Sequence, residues 1–420
     1  MFKGDFGLYA NDAALPGLHH LSLDRLQAVI ERDIPCSVTQ APASSYSISN
    51  VRYKSGRKLV LGMMSESGGK PIGLRIYPIH EAQHRLARLR AGEPARAFAL
   101  PEIDGIAWVY PAANKLDLRI LDDRKALAAL LLAERGMTLD TVELVRFVPE
   151  QSCTARVRGY RAGTQVTEYL KIQTEDQGAA TALLMRDLAA QTHGGVLSMP
   201  TQVSYLPEYR LLLQSSVPRA GSERISLFDA ARGLAAFHGL NSHHAPFTIN
   251  FSMPDTASTI ALVEHAAPQL VEPVKRLIAQ VASYRIAPTG HPPVLVHGDA
   301  HPGNLFPAPE NRIGIIDVDR CHRGRPEYDI ASFMAIRLWI ALREGCDPFD
   351  VLPGLGHLVA TYNQYARYPV TLDDARYFVA RSLLTERVYR GISRGKTTGD
   401  AELATFIALG ESLIRDIGKC

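Results

Sequence analysis

Residues 294–319 read VLVHGDAHPGNLFPAPENRIGIIDVD, and they decide the reading of the whole chain. His297, Asp299 and Asn304 lie on a polar turn between two apolar, β-branched runs, and Asp317 closes the second run. Phosphoryl transfer from ATP needs one carboxylate to orient and deprotonate a hydroxyl, and an Asn and an Asp to hold magnesium on the phosphates. The order His-x-Asp, four residues, Asn, then a further Asp on the next element meets that need.

Each residue also has a blander reading. Asp299 stands between Gly298 and Ala300 after a buried-looking strand, where a carboxylate can approach a hydroxyl as general base; alone, it would read as a turn cap. Asn304 follows Pro302-Gly303 and could be an ordinary turn Asn. Beside Asp317 it becomes a neutral magnesium ligand, and Asp317 the harder anionic one. If the chain stays extended, Asp319 points to the same side as Asp317 and is a second ligand or a support. His297 is a candidate catalytic residue, although His297 and His301 equally suit bonds that shape the turn. Farther on, Asp329 reads as a helix cap or a brace for the turn, and His238 as the end of its helix.

Upstream, Lys171 sits in TEYLKIQ on an expected half-buried strand, where an unpaired ammonium is costly. ATP phosphates are its expected partner, with Asp187 or Glu175 as alternative side-chain partners. Pro149–Thr154 occupies the place of a phosphate-covering loop but has no GxGxxG. The segment Tyr209–Val217, with Gln214 and Val217, is the expected interlobe hinge whose backbone holds adenine.

The wider chain fits a cleft enzyme. Its 420 residues, 46% hydrophobic and 21% charged, suit a globular protein of two or three domains. There is no apolar run of membrane-spanning length and no secretory h-region at the start, so no membrane partner is expected. Five scattered cysteines suggest neither a disulfide framework nor a zinc site, and a cytoplasmic location is expected. A net charge of +3 is too small to imply a nucleic-acid partner.

Two β-rich stretches precede a helical half. Strand patterns over SISNVRYKSG, RKLVLGMMS and PIGLRIYP are followed by a helix at 79–90, a strand at Gly105–Tyr110 and a helix at Arg124–Glu134. The order returns with three strands in 142–173, helix 178–191 and a strand at 209–214. Val51-Arg52-Tyr53 parallels Val145-Arg146-Phe147, Arg75-Ile76 parallels Lys171-Ile172, and Leu100-Pro101-Glu102 parallels Leu206-Pro207-Glu208. This reads either as a duplicated lobe, roughly 42–121 and 141–217, or as a chance likeness of small α+β units. From Ser226 helices dominate, with Ile260–Ser283, Tyr328–Ala341, Val351–Tyr365, Leu372–Arg390 and Ala401–Ile417 expected, interrupted by a strand pair at the His297 turn.

HGDAHPGNLF followed by IDVDRCHRGRPEYDIASF resembles the aminoglycoside phosphotransferase and choline kinase-like superfamily, small-molecule relatives of the protein kinases. The resemblance is specific in 294–333 and extends over 141–420. It implies an α+β, bilobal protein kinase-like fold, with a β-rich N-lobe (141–217) and a helical C-lobe (218–420), preceded in this chain by an additional N-terminal α+β domain (1–140) that reads as a possible duplicate of the N-lobe. It also implies ATP- and magnesium-dependent O-phosphorylation, with Asp299 catalytic, Asn304 and Asp317 on magnesium, Lys171 on the phosphates and Asp329 structural. The first 140 residues are not standard for that fold, and Arg75 stands where Lys171 stands in the second copy. They are expected to act as a cap, a regulator or a homodimer surface. Gly298 in place of the Arg of His-Arg-Asp, with no Ala-Pro-Glu segment, argues against protein acceptors.

The acceptor is expected to be a small hydroxylated molecule. Residues 241–290 carry Asp255, Glu264 and Glu272 against Lys275, Arg276 and Arg285, too few acids for a cation site, which favours a sugar or similar metabolite. Aminoglycoside or choline-like phosphorylation is the alternative, and a non-catalytic binding protein a distant third. Glu327, Arg337, Trp339, Glu386 and Arg390 are candidate acceptor contacts.

Overall fold

The computed structural model describes residues 6–79, 81–90, 97–113, 115–174, 178–246, 256–286 and 290–418. Two five-stranded antiparallel sheets come first. One is formed by β1 (Tyr46–Lys54), β2 (Lys58–Ser65), β3 (Ile72–Ile76), β4 (Ala97–Leu100) and β5 (Gly105–Val109), in the order β1-β2-β3-β5-β4. The other is formed by β6 (Thr138–Val148), β7 (Ser152–Arg161), β8 (Thr164–Gln173), β10 (Val203–Leu206) and β11 (Leu211–Ser215), in the order β6-β7-β8-β11-β10. Each has a helix after its third strand, Glu81–Arg90 in one and Gly178–Gln191 in the other. Each passes from fourth to fifth strand through a Leu-Pro-Glu 3-10 turn that ends left-handed, at Asp104 and at Arg210.

The registers coincide as well. Arg75 faces Val60 on one side and Ile106 on the other, and Val60 faces Arg52. In the second sheet Lys171 faces Thr154 and Leu212, and Thr154 faces Arg146. Arg75 and Lys171 are therefore register equivalents, as are Arg52 and Arg146.

The helical half contains Leu227–His238, Thr256–Ala266, Val271–Ser283, Glu327–Arg343, Gly354–Tyr365, Leu372–Ser382 and Asp400–Arg415. The stretch expected as one helix at 260–283 is two, because Pro268 starts a 3-10 turn between them. Leu372–Arg390 is likewise divided, with a π-helical segment at Leu383–Tyr389. Among the described residues no helix is long and apolar enough to cross a membrane.

The core does not divide at residue 140. Helix Arg124–Arg135 buries Leu127 and Leu131 with Met137 and with Phe147, Val157 and Leu170 of the second sheet. The first sheet shares its apolar core with the helical half, and the Tyr9 hydroxyl donates to the Ile392 carbonyl at 2.6 Å. An apolar face buries itself against whatever apolar surface adjoins it, and here the helical half supplies that surface to the first sheet.

The expected strand pair around the catalytic turn is also rearranged. β12 (Val294–Val296) pairs with β15 (His322–Gly324), not with the strand that delivers Asp317. That strand, β14 (Arg312–Ile315), forms a hairpin with β13 (Leu305–Ala308) and pairs in parallel with the short β9 (Leu197–Ser198) just ahead of β10.

Candidate active site

The turn after β12 is held from beneath by one carboxylate. Asp329 has no solvent exposure; it accepts the His297 amide at 2.6 Å, the Gly298 amide at 2.9 Å and His238 Nε2 at 3.0 Å. His238 Nδ1 meets the Tyr362 hydroxyl at 2.8 Å. Burial alone would raise the Asp329 carboxyl, but His238, His297 and its amide hold it below the usual carboxylate range. Asp329 thus braces the turn rather than capping a helix with its side chain. His238 is part of the brace, which its sequence position as a helix end did not reveal.

Gly298 is required by geometry. Its φ is +76°, and a Cβ there would lie 2.3 Å from the Arg320 carbonyl oxygen. A Gly298→Ala variant is expected to lose about 3 kcal/mol in denaturant unfolding, combining the left-handed penalty with displacement of backbone. A midpoint unchanged from the parent protein would contradict this account of the turn.

Both ring nitrogens of His297 are used by backbone. Nε2 lies 2.9 Å from the Ile316 carbonyl, and Nδ1 receives the Asp299 amide at 3.3 Å. The imidazole joins the turn to the strand bearing Asp317, so its candidacy as a proton-transfer group gives way to a positioning role. His301 likewise receives the Gly303 amide at 2.9 Å, and burial pushes its imidazole below the usual range. Asn304 Nδ2 donates to the Asp299 carbonyl at 3.0 Å. Its Oδ1 is the atom left over for a cation, and no hydrogen bond to the Asp299 carboxylate comes from the described residues.

Asp317 and Asp319 do not reach the site by the extended route. Asp317 is left-handed at φ +61°, and a 3-10 turn, Val318–Arg320, follows. Both carboxylates nevertheless converge on Lys171, whose Nζ lies 2.9 Å from Asp317 Oδ1 and also bonds Asp319. Gln173 Nε2 adds a bond to Asp319 at 2.8 Å. Burial would lower the Lys171 ammonium, but Asp319 and Asp317 keep it above its ordinary value; burial would raise Asp317, but Lys171 keeps it below. The expected partner Asp187 instead accepts from Gln191 at 3.3 Å, one helical turn away, and Glu175 lies outside the described residues.

Gln214 lies on β11 opposite Tyr169, and Val217 follows in the half-buried link to the helical half. That link is fixed by the Ser216 amide on the Thr167 carbonyl at 3.1 Å and the Ala220 amide on the Pro307 carbonyl at 2.9 Å.

Beside Gly298 opens a cavity of about 250 Å³ lined by Tyr328, Arg381, Glu386, Tyr389 and Arg390. Glu386 is ion-paired with Arg390. Of the other acceptor candidates, Glu327 is buried in an ion pair with Arg325 at 2.7 Å, and Arg325 also meets Asp374 at 2.8 Å. Glu327 is therefore a packing residue. Trp339 stacks with Arg343 and Arg387, and Arg337 is absent from the cavity wall. Asp255 is outside the described residues.

The donor set suits magnesium. A carboxylate, an amide oxygen and a second carboxylate are hard oxygen ligands, few enough to leave coordination positions for phosphate and water. Among the described residues there is no group of three or more His, Cys, Asp or Glu side chains that could hold a metal alone, so Asn304 and the nucleotide would have to complete the shell.

Residues 204–367 match the model of the phosphotransferase enzyme family. That region includes the whole turn from His297 to Asn304 and Asp317, and the family is the one the motif resembles. No curated protein matches the chain. Among solved structures, the chain is similar to a macrolide 2'-phosphotransferase from Brachybacterium faecium, at 17% identity over 68% of this chain and 97% of that one, TM-score 0.41. It is similar to a choline kinase from Streptococcus pneumoniae at 9% identity over 70% and 98%, TM-score 0.44. A choline/ethanolamine kinase family protein from Mesorhizobium loti shows 15% identity over 70% and 95%, TM-score 0.44.

Proposed function

We propose that this chain, which carries the phosphotransferase family's pattern in residues 204–367, is an ATP-dependent small-molecule O-phosphotransferase. The observation that carries the proposal is the meeting of Lys171 with Asp317 and Asp319, next to a rigid turn that presents Asp299 and Asn304. Lys171 would pair with nucleotide phosphates, and the hinge backbone from Gln214 to Val217 would hold the adenine. Asn304 Oδ1, Asp317 and, as a support, Asp319 would hold magnesium, which when bound neutralises charge on the transferring phosphoryl group.

Asp299 does the orienting. Its carboxylate would accept the hydrogen bond of an acceptor hydroxyl, align the oxygen and take its proton as the phosphoryl bond forms. The turn beneath it is fixed by Asp329, whose carboxylate accepts the His297 and Gly298 amides.

A hydroxylated acceptor that is neutral or anionic, such as a sugar, fits the cavity better than a polycation. The cavity wall presents Arg381 and Arg390 against a single acid, Glu386, already paired. Arg387 and Lys396 also feel the charge of Asp299. Magnesium-dependent ATP turnover across sugars, sugar acids, amino alcohols and aminoglycosides tests the reading. The expected result is turnover with a neutral or anionic sugar and a product one phosphoryl group heavier. Turnover confined to aminoglycosides or choline would move the substrate assignment to the alternative class. Absence of ATP binding and of turnover with every acceptor would sink the kinase reading itself.

A further inference from the structure

The turn between β6 and β7, Val148–Ser152, is the one expected from the sequence to cover phosphates; Thr154, just after it, pairs with Lys171, and the tip of the turn leans onto the first sheet. Glu150 at that tip is 2% exposed at its side chain; it bonds Lys58 at 2.8 Å and Arg75 at 2.9 Å. Arg75 is the register equivalent of Lys171. Pro149 lies on the same face: a Cβ on Gly62 would meet its Cδ at 2.9 Å, and one on Gly73 its Cβ at 3.2 Å. Gly62 and Gly73 are paired across β2 and β3, two positions from Val60 and Arg75, so all four share one face of the sheet. It is the face that corresponds to the Lys171 face of the second sheet.

Backbone conformation gives independent support. The first sheet's own turn, between β1 and β2, has Gly56 at φ +66°, and the matching position of the second turn is Glu150 at φ +61°. L side chains rarely adopt that conformation, and glutamate is not among the residues enriched there. Burial would raise the carboxyl, yet Lys58 and Arg75 hold it down at about 2, so it is an anion throughout the neutral range.

We propose that the first sheet is a second copy of the kinase lobe whose phosphate-binding face receives the Glu150 carboxylate in place of phosphate, making Glu150 a positioning residue that fixes the covering turn for nucleotide binding. The proposal rests on the reading of the second lobe as the nucleotide site. The carboxylate satisfies Lys58 and Arg75, and the first lobe is thereby committed to holding its neighbour's loop. A loop held in place before the ligand arrives loses less freedom on binding.

The test uses the full chain with Glu150→Gln, which removes the charge, and Glu150→Gly, which also removes the left-handed strain. The dissociation constant of a non-hydrolysable ATP analogue with magnesium and the KM for ATP are expected to rise about tenfold in both. The kcat and the acceptor KM should stay within about threefold. Glu150→Gly, relieved of the left-handed strain, should unfold later than Glu150→Gln while binding the analogue no better, which separates positioning from stability. If Glu150→Gln does not fold, Glu150→Gly and Arg75→Met carry the measurement. Analogue binding within twofold of the parent in the folded variants would overturn the proposal while leaving the kinase reading intact. Failure of the parent chain to bind the analogue would instead overturn the kinase reading.

Discussion

Replacing Asp299 by Asn should lower kcat for the best acceptor by about 10³-fold, while affinity for an ATP analogue changes by no more than about threefold. The carboxylate accepts no hydrogen bond from the described residues, so it is available to a substrate and carries no structural load. The neighbouring backbone is held independently: the Asp299 amide on His297, and its carbonyl on Asn304. The amide of Asn is nearly the same size and preserves those contacts, but it cannot take a proton. Pre-steady-state phosphoryl transfer is the measurement to make, because it isolates chemistry from product release. A variant that retained the parent's transfer rate would remove Asp299 from the mechanism.

Asp329→Ala should cost about 4 kcal/mol of folding stability at neutral pH. The substitution leaves the His297 and Gly298 amides and His238 without their acceptor, at the place where helix Leu227–His238, the turn after β12 and helix Glu327–Arg343 meet. Because the folded carboxyl is depressed, its contribution is complete above the unfolded value of about 3.9. It is lost as pH falls through the lower folded value. Urea unfolding should therefore show the two proteins far apart at pH 7 and converging in strong acid. Equal stability at pH 7 would mean that the turn finds other acceptors.

Candidates for the site are legible in the sequence because Asp299, Asn304 and Asp317 are concentrated in 294–319 at a telling spacing. The pairing of Lys171 could not be read in the same way. Its partners lie 146 and 148 residues away, and nothing local distinguishes them from Asp187. Asp319 reaches Lys171 only because Asp317 adopts a left-handed conformation, which no alternation pattern announces. His238 does end its helix, but its bond to Asp329, 91 residues away, is a second role that a helix end does not announce.

The fold shows the same division between local and distant information. Helix Gly178–Gln191 and the three long strands after residue 137 are visible as periodicity. β9 and β10, with two and four residues, are too short to carry a period. The destination of the first sheet's apolar face was equally hidden, since packing partners are not encoded by the spacing of apolar residues.

The short strand β9 has a mechanical consequence. The chain crosses between the second sheet and the helical half at the link ending in Ala220, whose amide is fastened to Pro307 on β13. β9 adds a second fastening, to β14, through the pairs Leu197 with Ile313 and Ser198 with Gly314. Both attachments lie on the one hairpin whose end carries Asp317. Lys171 and Gln173 of the second sheet bond Asp317 and Asp319 just beyond the same hairpin. The fastenings between the sheet and the helical half and the candidate site therefore share one element, and a substitution that loosened the β9–β14 pairing would be felt at Asp317.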